Sequence, residues 1–222
     1  MNYMNFNVLT LIMELIGTIA FASSGAMLAI QKEMDLFGVC VLGVTTSVGG
    51  GMIRDLLLGI IPPGMFRKPI YTSVAILTSI LLFFIIYTRR NIKNKKIAEA
   101  YNKIMMVFDT VGLGIFTVVG IHTGRKEGYE QIFLLIFLGV ITGVGGGLLR
   151  DMMAQEMPYI LTKHIYACAS ISGAAVCVMS DSLLGDFWSM TVGMTVVMLV
   201  RFLATRYRWN LPKIRNSSGH DQ

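Results

Sequence analysis

Residues 47–55 read SVGGGMIRD, and residues 143–151 read GVGGGLLRD. Both stretches contain a glycine triplet, two apolar residues and an arginine–aspartate pair at the same spacing. The match extends downstream to a proline and a tyrosine in each copy. Upstream, it extends to Glu14 and Asp109, which occupy equivalent places. A doubled motif with matched flanks indicates an internal duplication of a longer unit.

The composition indicates a membrane protein. Of 222 residues, 54% are hydrophobic and 14% charged, and the mean hydropathy is +0.64. Soluble domains carry about 25% charged residues, so this chain has too little charge to cover itself for water. Apolar stretches of about 20 residues, the length that crosses a bilayer as a helix, predict an all-α integral membrane protein. The seven predicted spans are Val8–Ile30, Leu36–Ile61, Ile70–Thr88, Ile104–His122, Gln131–Leu149, Lys163–Ser180 and Phe187–Arg206.

Each copy of the duplicated unit contains three of the predicted spans. An odd number of spans makes the second copy enter the membrane in the opposite orientation, which predicts an inverted repeat like those of transporters and some channels. The seventh span has no counterpart in the other copy. The predicted divisions are a first repeat at 6–88, a basic cytoplasmic linker at 89–103, a second repeat at 104–182, a seventh transmembrane helix at 186–206 and a cytoplasmic tail at 207–222.

The distribution of basic residues predicts the orientation in the membrane. Positive charge is concentrated in two tracts, Arg89–Lys103 and Arg201–Arg215, within a net charge of +6. Such tracts between or after apolar spans are typical of cytoplasmic loops, so the N-terminus is predicted outside and the C-terminus in the cytoplasm. No basic stripe with exposed aromatic residues is present, so we expect no nucleic-acid partner.

The glycine triplets lie near the middle of the second and fifth predicted spans. Each glycine costs roughly 1 kcal/mol of helix propensity. The triplets either allow close helix packing in lipid, or they kink or unwind the helix beside a water-filled cavity, where broken backbone is tolerated. Their placement favours the cavity, with freed carbonyls facing a permeating ion or small solute. The residues concerned are Gly49, Gly50, Gly51, Gly145, Gly146 and Gly147.

Four charges follow the triplets: Arg54 and Asp55 in the first copy, and Arg150 and Asp151 in the second. A charge at the bilayer centre costs about 2.5–3.5 kcal/mol on insertion scales. The pairs therefore either anchor the span ends at the interface or face one shared aqueous pathway. Pairing within each motif and crossed pairing between the two motifs both fit the sequence.

Other polar residues in the spans are candidates for lining such a pathway. Glu14 and Asp109 are either solvated anchors or a source of the negative field that favours cations. The hydroxyls of Thr45, Ser47 and Thr142 are candidates for replacing water around a partly dehydrated ion.

The sequence gives no indication of an enzyme, a cofactor or a bound metal. His122, His164 and His220 show no ligand spacing. The glycine triplets precede Arg-Asp rather than Lys-Ser or Lys-Thr, so they do not form a phosphate-binding loop. Only transient binding of monovalent cations is expected.

The doubled GGGxxRD motif, each copy followed by a proline and a tyrosine, resembles the prokaryotic TRIC-type proteins. These are relatives of the trimeric intracellular cation channels, and their repeat unit is also labelled a glycine transporter domain. The resemblance covers roughly residues 6–206. It implies two inverted three-helix repeats plus a seventh helix, in a homotrimer with one pore per subunit between glycine-kinked helices 2 and 5. It also implies conduction of potassium and sodium.

The resemblance does not extend to lipid regulation. Animal members carry a Lys-Glu-Val stretch in the fourth span and bind phosphoinositide there, whereas this chain has Phe108-Asp109-Thr110-Val111. The only lipid partner expected is therefore the surrounding membrane.

The leading hypothesis is a passive monovalent-cation channel in the bacterial inner membrane, in which Arg54 and Arg150 narrow the route. The alternative is a secondary carrier for a small zwitterion such as glycine, whose carboxylate an arginine would hold and whose amine Asp55 or Asp151 would hold. A third class is a membrane scaffold without transport.

Overall fold

A computed structural model describes residues 3–89, 95–162, 165–207 and Trp209. These residues form helices without any strand, as the composition predicts. Two of the helices, α3 and α7, have four residues each and follow the two motif-bearing helices. The helices are α1 (Tyr3–Gln31), α2 (Leu36–Leu57), α3 (Gly64–Arg67), α4 (Ile70–Arg89), α5 (Lys95–Lys126), α6 (Ile132–Met153), α7 (Tyr159–Thr162) and α8 (Ile165–Arg206).

Six of the described helices are long and apolar enough to cross a membrane. The last of them, α8, has 42 residues and is interrupted at Gly185, where φ is 75° and ψ is 164°. Glycine is the residue that adopts this backbone conformation readily. Gly173 packs against Val197, and Gly193 against Cys177, so the two halves of α8 fold back on each other as a hairpin. These halves cover most of the sequence of the predicted sixth and seventh spans, and their separate crossing of the membrane stays a prediction.

The predicted linker at 89–103 is partly helical, because α5 begins at Lys95. This extension carries strong helix formers around Glu99, and it is fixed to the end of α1. The Tyr101 hydroxyl donates to the carbonyl of Met27 (3.0 Å). Residues 95–103 therefore prolong α5 as a helix, and the cytoplasmic location of this segment stays a prediction.

The helices pack in two equivalent groups. Helices α1, α2 and α4 contact one another, as do α5, α6 and α8, and the groups meet through the α2–α6 and α1–α5 contacts. Equivalent close contacts recur in both groups. Gly25 lies against Thr46, and Gly120 lies against Thr142. The sequence duplication is therefore also a duplication of packing.

The glycine triplets form the crossing between α2 and α6. Both helices have 22 residues and remain helical through the triplets, so the prediction that they unwind there is wrong. A Cβ atom on Gly50 would collide with the carbonyl oxygen of Thr142, and one on Gly146 with that of Thr46. The backbones approach so closely that packing across the crossing compensates for the poor helix propensity of glycine.

We predict that Gly50→Ala destabilises the folded protein by about 2 kcal/mol, because its methyl group must push two backbones apart. Gly51→Ala is the matched control, since its Cβ would lie 3.6 Å from the nearest atom, Arg54 Nη2. That change should be neutral or stabilising by up to about 1 kcal/mol. Thermal unfolding of the purified variants in detergent measures the difference, and equal stabilities would contradict the packing described.

Candidate functional site

The arginine of each motif pairs with its neighbouring aspartate. Arg54 donates from Nε (2.9 Å) and Nη2 (2.7 Å) to Asp55 Oδ1. Arg150 donates from Nε to Asp151 Oδ1 (2.8 Å). Of the two arrangements that the sequence left open, the structure has pairing within each motif.

The second carboxylate oxygen of each aspartate fixes the short helix that follows. Asp55 Oδ2 accepts a hydrogen bond from the backbone N–H of Gly64 (2.7 Å), at the start of α3. Asp151 Oδ2 accepts from the N–H of Tyr159 (2.8 Å), at the start of α7. Each aspartate therefore joins its arginine to the first turn of a short helix, where N–H groups lack partners within the helix.

A cavity of about 460 Å³ opens beside the first motif, here called the first cavity. Its wall includes Gly51 of the triplet, and the Tyr71 hydroxyl donates within it to the Glu14 carboxylate. Arg54 is partly accessible here, with 11% of its side chain exposed. The polar and charged lining residues are Thr10, Glu14, Thr18, Ser47, Arg54, Asp55, Arg67, Lys68, Tyr71, His122, Thr123, Lys126 and Glu127.

The second motif lies in a buried ionic cluster. Arg150, with 1% of its side chain exposed, donates from Nη1 to Asp109 Oδ1 (2.7 Å) and to Ser24 Oγ. Tyr166 donates to the same Asp109 oxygen (3.3 Å). Asp109 is fully buried, so its interpretation as a solvated anchor is wrong.

Arg201 completes this cluster, and the sequence analysis missed it. Its Nη2 atom lies 3.6 Å from Asp109 Oδ2. The guanidinium carbon lies 4.6 Å from the centre of the Tyr166 ring, a cation–π geometry. We predicted Arg201 in a cytoplasmic basic tract, but it is buried. The signal was available: Arg201 is the only charged residue between Phe187 and Leu203.

A second cavity of about 330 Å³ lies beside Asp151 and Tyr159. A salt bridge from Lys32 to Glu156, a lining residue, fixes the end of α1 there. Burial raises the pKa of Tyr159, so its hydroxyl remains protonated. The lining residues are Leu28, Gln31, Asn102, Lys103, Met105, Met106, Asp151, Glu156 and Tyr159.

The two cavities lie at opposite ends of α1 and α5, which pack antiparallel. Gly17, near the middle of α1, contacts Ile115 of α5. Gln31, at the C-terminal end of α1, donates to Asn102, near the N-terminal end of α5 (2.8 Å). The first cavity includes Glu14 and the C-terminal part of α5, and the second includes Gln31 and its N-terminal part.

The predicted hydroxyl ligands are separated by the structure. Ser47 lines the first cavity, although its hydroxyl also donates to the Val44 carbonyl (3.0 Å). Thr142 is buried at the packing contact with Gly120 and donates to the Leu138 carbonyl (2.5 Å). Neither Thr142 nor Thr45 lines either of the two cavities.

The remaining triplet glycines divide in the same way. Gly49 packs against Leu149, and Gly145 against Gly50, at the helix crossing. Gly147 faces the Tyr166 hydroxyl and Asp109 in the buried cluster. Within the described residues, no group of His, Cys, Asp and Glu side chains could hold a metal ion. His164 and His220 lie outside those residues.

Comparison with known proteins identifies the family. The profile of the glycine transporter family matches residues 11–87 and again residues 106–182. The inner membrane protein YadS of Escherichia coli K12 is 37% identical over 90% of this chain and 93% of its own length.

Two solved structures have the same fold. One, determined to explain conductance through TRIC cation channels, has a TM-score of 0.80 and 35% identity over 94% of this chain and 98% of that one. The trimeric intracellular cation channel orthologue from Rhodobacter sphaeroides has a TM-score of 0.81 and 31% identity, over 90% and 99% of the two chains. This chain belongs to the TRIC family. It is an all-helical membrane protein with the TRIC channel fold.

We predict that the two arginines of this TRIC protein contribute unequally to stability. Arg150→Met leaves the buried Asp109 and Asp151 without a shared partner, which should cost about 3–5 kcal/mol. Arg54→Met removes the equivalent group from a cavity wall, where water can reach Asp55, and should cost less, about 1–3 kcal/mol. Denaturation in detergent compares the variants, and similar losses would refute the difference in burial.

Proposed function

We propose that this protein is a passive channel for monovalent cations, potassium with sodium, in the bacterial inner membrane. The observation that carries the proposal is the pair of polar cavities at opposite ends of the same helices, the first lined by Arg54 and Asp55 and the second by Asp151. The family supports it, since both similar structures described above are of TRIC cation channels.

In the proposed path, ions pass between the two cavities beside the α2–α6 crossing, with one pore per subunit of a homotrimer. Because α2 and α6 stay helical, side-chain oxygens rather than freed backbone carbonyls would contact the ion. Glu14, Ser47 and Tyr71 provide oxygens on the first side. Phe116 and Val119 in the same wall form an apolar stretch that can exclude water and thereby gate the path.

We further infer seven membrane crossings in two inverted repeats. The antiparallel packing of α1 and α5, the first helix of each repeat, supports inversion, and the hairpin at Gly185 supports two crossings by α8. Arg67, Lys68 and Lys126 lie around the first cavity, whereas Lys103 lies at the second. Lys103 belongs to the basic tract Arg89–Lys103, which carries more Lys and Arg than the connections at the first cavity, so the overall charge bias supports a first cavity outside and a second cavity in the cytoplasm.

The other two hypotheses receive less support. A glycine carrier would use the same polar cavities, but the structures that resemble this chain are of cation channels rather than amino-acid carriers. A scaffold without transport leaves unexplained a polar cavity of about 460 Å³ among spans of high hydropathy.

We predict stepwise potassium currents when the purified protein is reconstituted in planar bilayers. Arg54→Ala should change the unit current, because Arg54 lies in the wall of the first cavity. Arg206→Ala, which removes an exposed charge near the end of α8, is the matched control and should leave the unit current unchanged. Saturable uptake of labelled glycine into vesicles without any current would favour the carrier, and silence in both assays would favour the scaffold.

A further inference from the structure

Equivalent carboxylates in the two repeats differ in access to water. Glu14 and Tyr71 are partly buried and line the first cavity. Their counterparts, Asp109 and Tyr166, have exposures of 0% and 1% and line neither of the two cavities. The carboxylate–phenol pair of the first repeat is therefore accessible from a cavity, whereas the equivalent pair of the second repeat is buried.

The surrounding groups show the same difference. Arg54 has 11% of its side chain exposed, whereas Arg150 has 1%. Gly51 lines the first cavity, but a Cβ atom on Gly147 would lie 2.8 Å from the Tyr166 hydroxyl. The space that forms a cavity in the first repeat is filled in the second.

Arg201 fills this space in the second repeat, and the first repeat has no residue equivalent to it. Its neighbours Arg150, Asp109 and Tyr166 all have counterparts in the duplicated unit, but the C-terminal half of α8 does not. The guanidinium stacks over the Tyr166 ring at 4.6 Å and faces Asp109 Oδ2 at 3.6 Å. Arg201 therefore covers the side of Asp109 that Arg150 leaves free.

The closed arrangement leaves polar atoms without hydrogen bonds. Asp109 Oδ2, Arg150 Nη2, and Arg201 Nε and Nη2 are buried and have no hydrogen-bond partner within the described residues. Each of these atoms is available for a hydrogen bond with water that reaches the cluster.

We propose that Arg201 is a positioning residue that holds the second half of the ion path closed by covering Asp109. When Arg201 withdraws, Asp109 faces water as Glu14 does, and the two halves become equivalent. This proposal rests on the proposed cation channel and adds to it the residue on which closure depends.

The test compares open probability and the potassium-to-chloride permeability ratio in bilayers under a KCl gradient. Arg201→Met should raise the open probability about tenfold, which lies within the usual range of coupling between a contact and a two-state equilibrium. It should also raise the permeability ratio, because the Asp109 carboxylate becomes free. Arg206→Met removes an exposed arginine from the same helix and should behave as the wild type.

Two further variants distinguish a role of Arg201 in closing the ion path from a purely structural role of this residue. Arg201→Lys keeps the charge but loses the planar stacking on Tyr166, so its open probability should lie between those of the wild type and Arg201→Met. In the double variant Asp109→Asn/Arg201→Met, the increase in permeability ratio should disappear, because no carboxylate is uncovered. A loss of folding alone would raise neither quantity.

An open probability and permeability ratio of Arg201→Met equal to those of Arg206→Met, in an intact oligomer, would overturn the proposal. If Arg201→Met fails to assemble, Arg201→Lys decides, and wild-type gating in that variant overturns it. Amide hydrogen exchange of residues 105–116 tests the contact without any current, since it should be faster in Arg201→Lys than in the wild type. A wild-type protein that passes no current refutes the channel, while the exchange result still decides whether Arg201 covers Asp109.

Discussion

The close approach of two helix backbones at Gly50 and Gly146 is the contact on which the rest of the structure depends. In lipid, apolar side chains gain little by leaving the bilayer, so helices associate through van der Waals packing and polar contacts. The two three-helix groups meet through this crossing and through the neighbouring α1–α5 contact. Because α2 and α6 run antiparallel through it, with Gly49 against Leu149 and Gly145 against Ile53, the charges that follow each triplet are directed to opposite ends.

The charges can occupy these places because each has a partner. An unpaired arginine or aspartate at membrane depth is energetically unfavourable, and in each motif an ion pair with the adjacent residue offsets this. The second carboxylate oxygen of each aspartate accepts a hydrogen bond from the N–H of Gly64 or Tyr159, so the chain turns sharply after each motif. The Arg-Asp sequence therefore fixes the turn after each motif, and Arg54, Asp55 and Asp151 also line the cavities.

The duplication and its polar groups could be predicted from the sequence because matched spacing survives as matched packing. Two other features could not. The helical state of the triplets depends on a partner backbone, Thr142 for Gly50, which lies in the other repeat, so local propensity alone favoured unwinding. The burial of Arg201 was not predicted because the basic tract and the end of the last predicted span overlap at this residue. Hydropathy does not show which arginine of the tract packs into the protein interior.

The intact helices constrain how an ion could be selected in the proposed channel. A filter of freed carbonyls would replace the hydration shell and discriminate by ion size, but the carbonyls of α2 and α6 remain within helices. A cavity of about 460 Å³ has room for roughly fifteen water molecules at about 30 Å³ each. An ion there keeps much of its hydration, and carboxylates such as Glu14 act on its charge. In the proposed channel, this geometry favours selection by charge sign over discrimination between potassium and sodium.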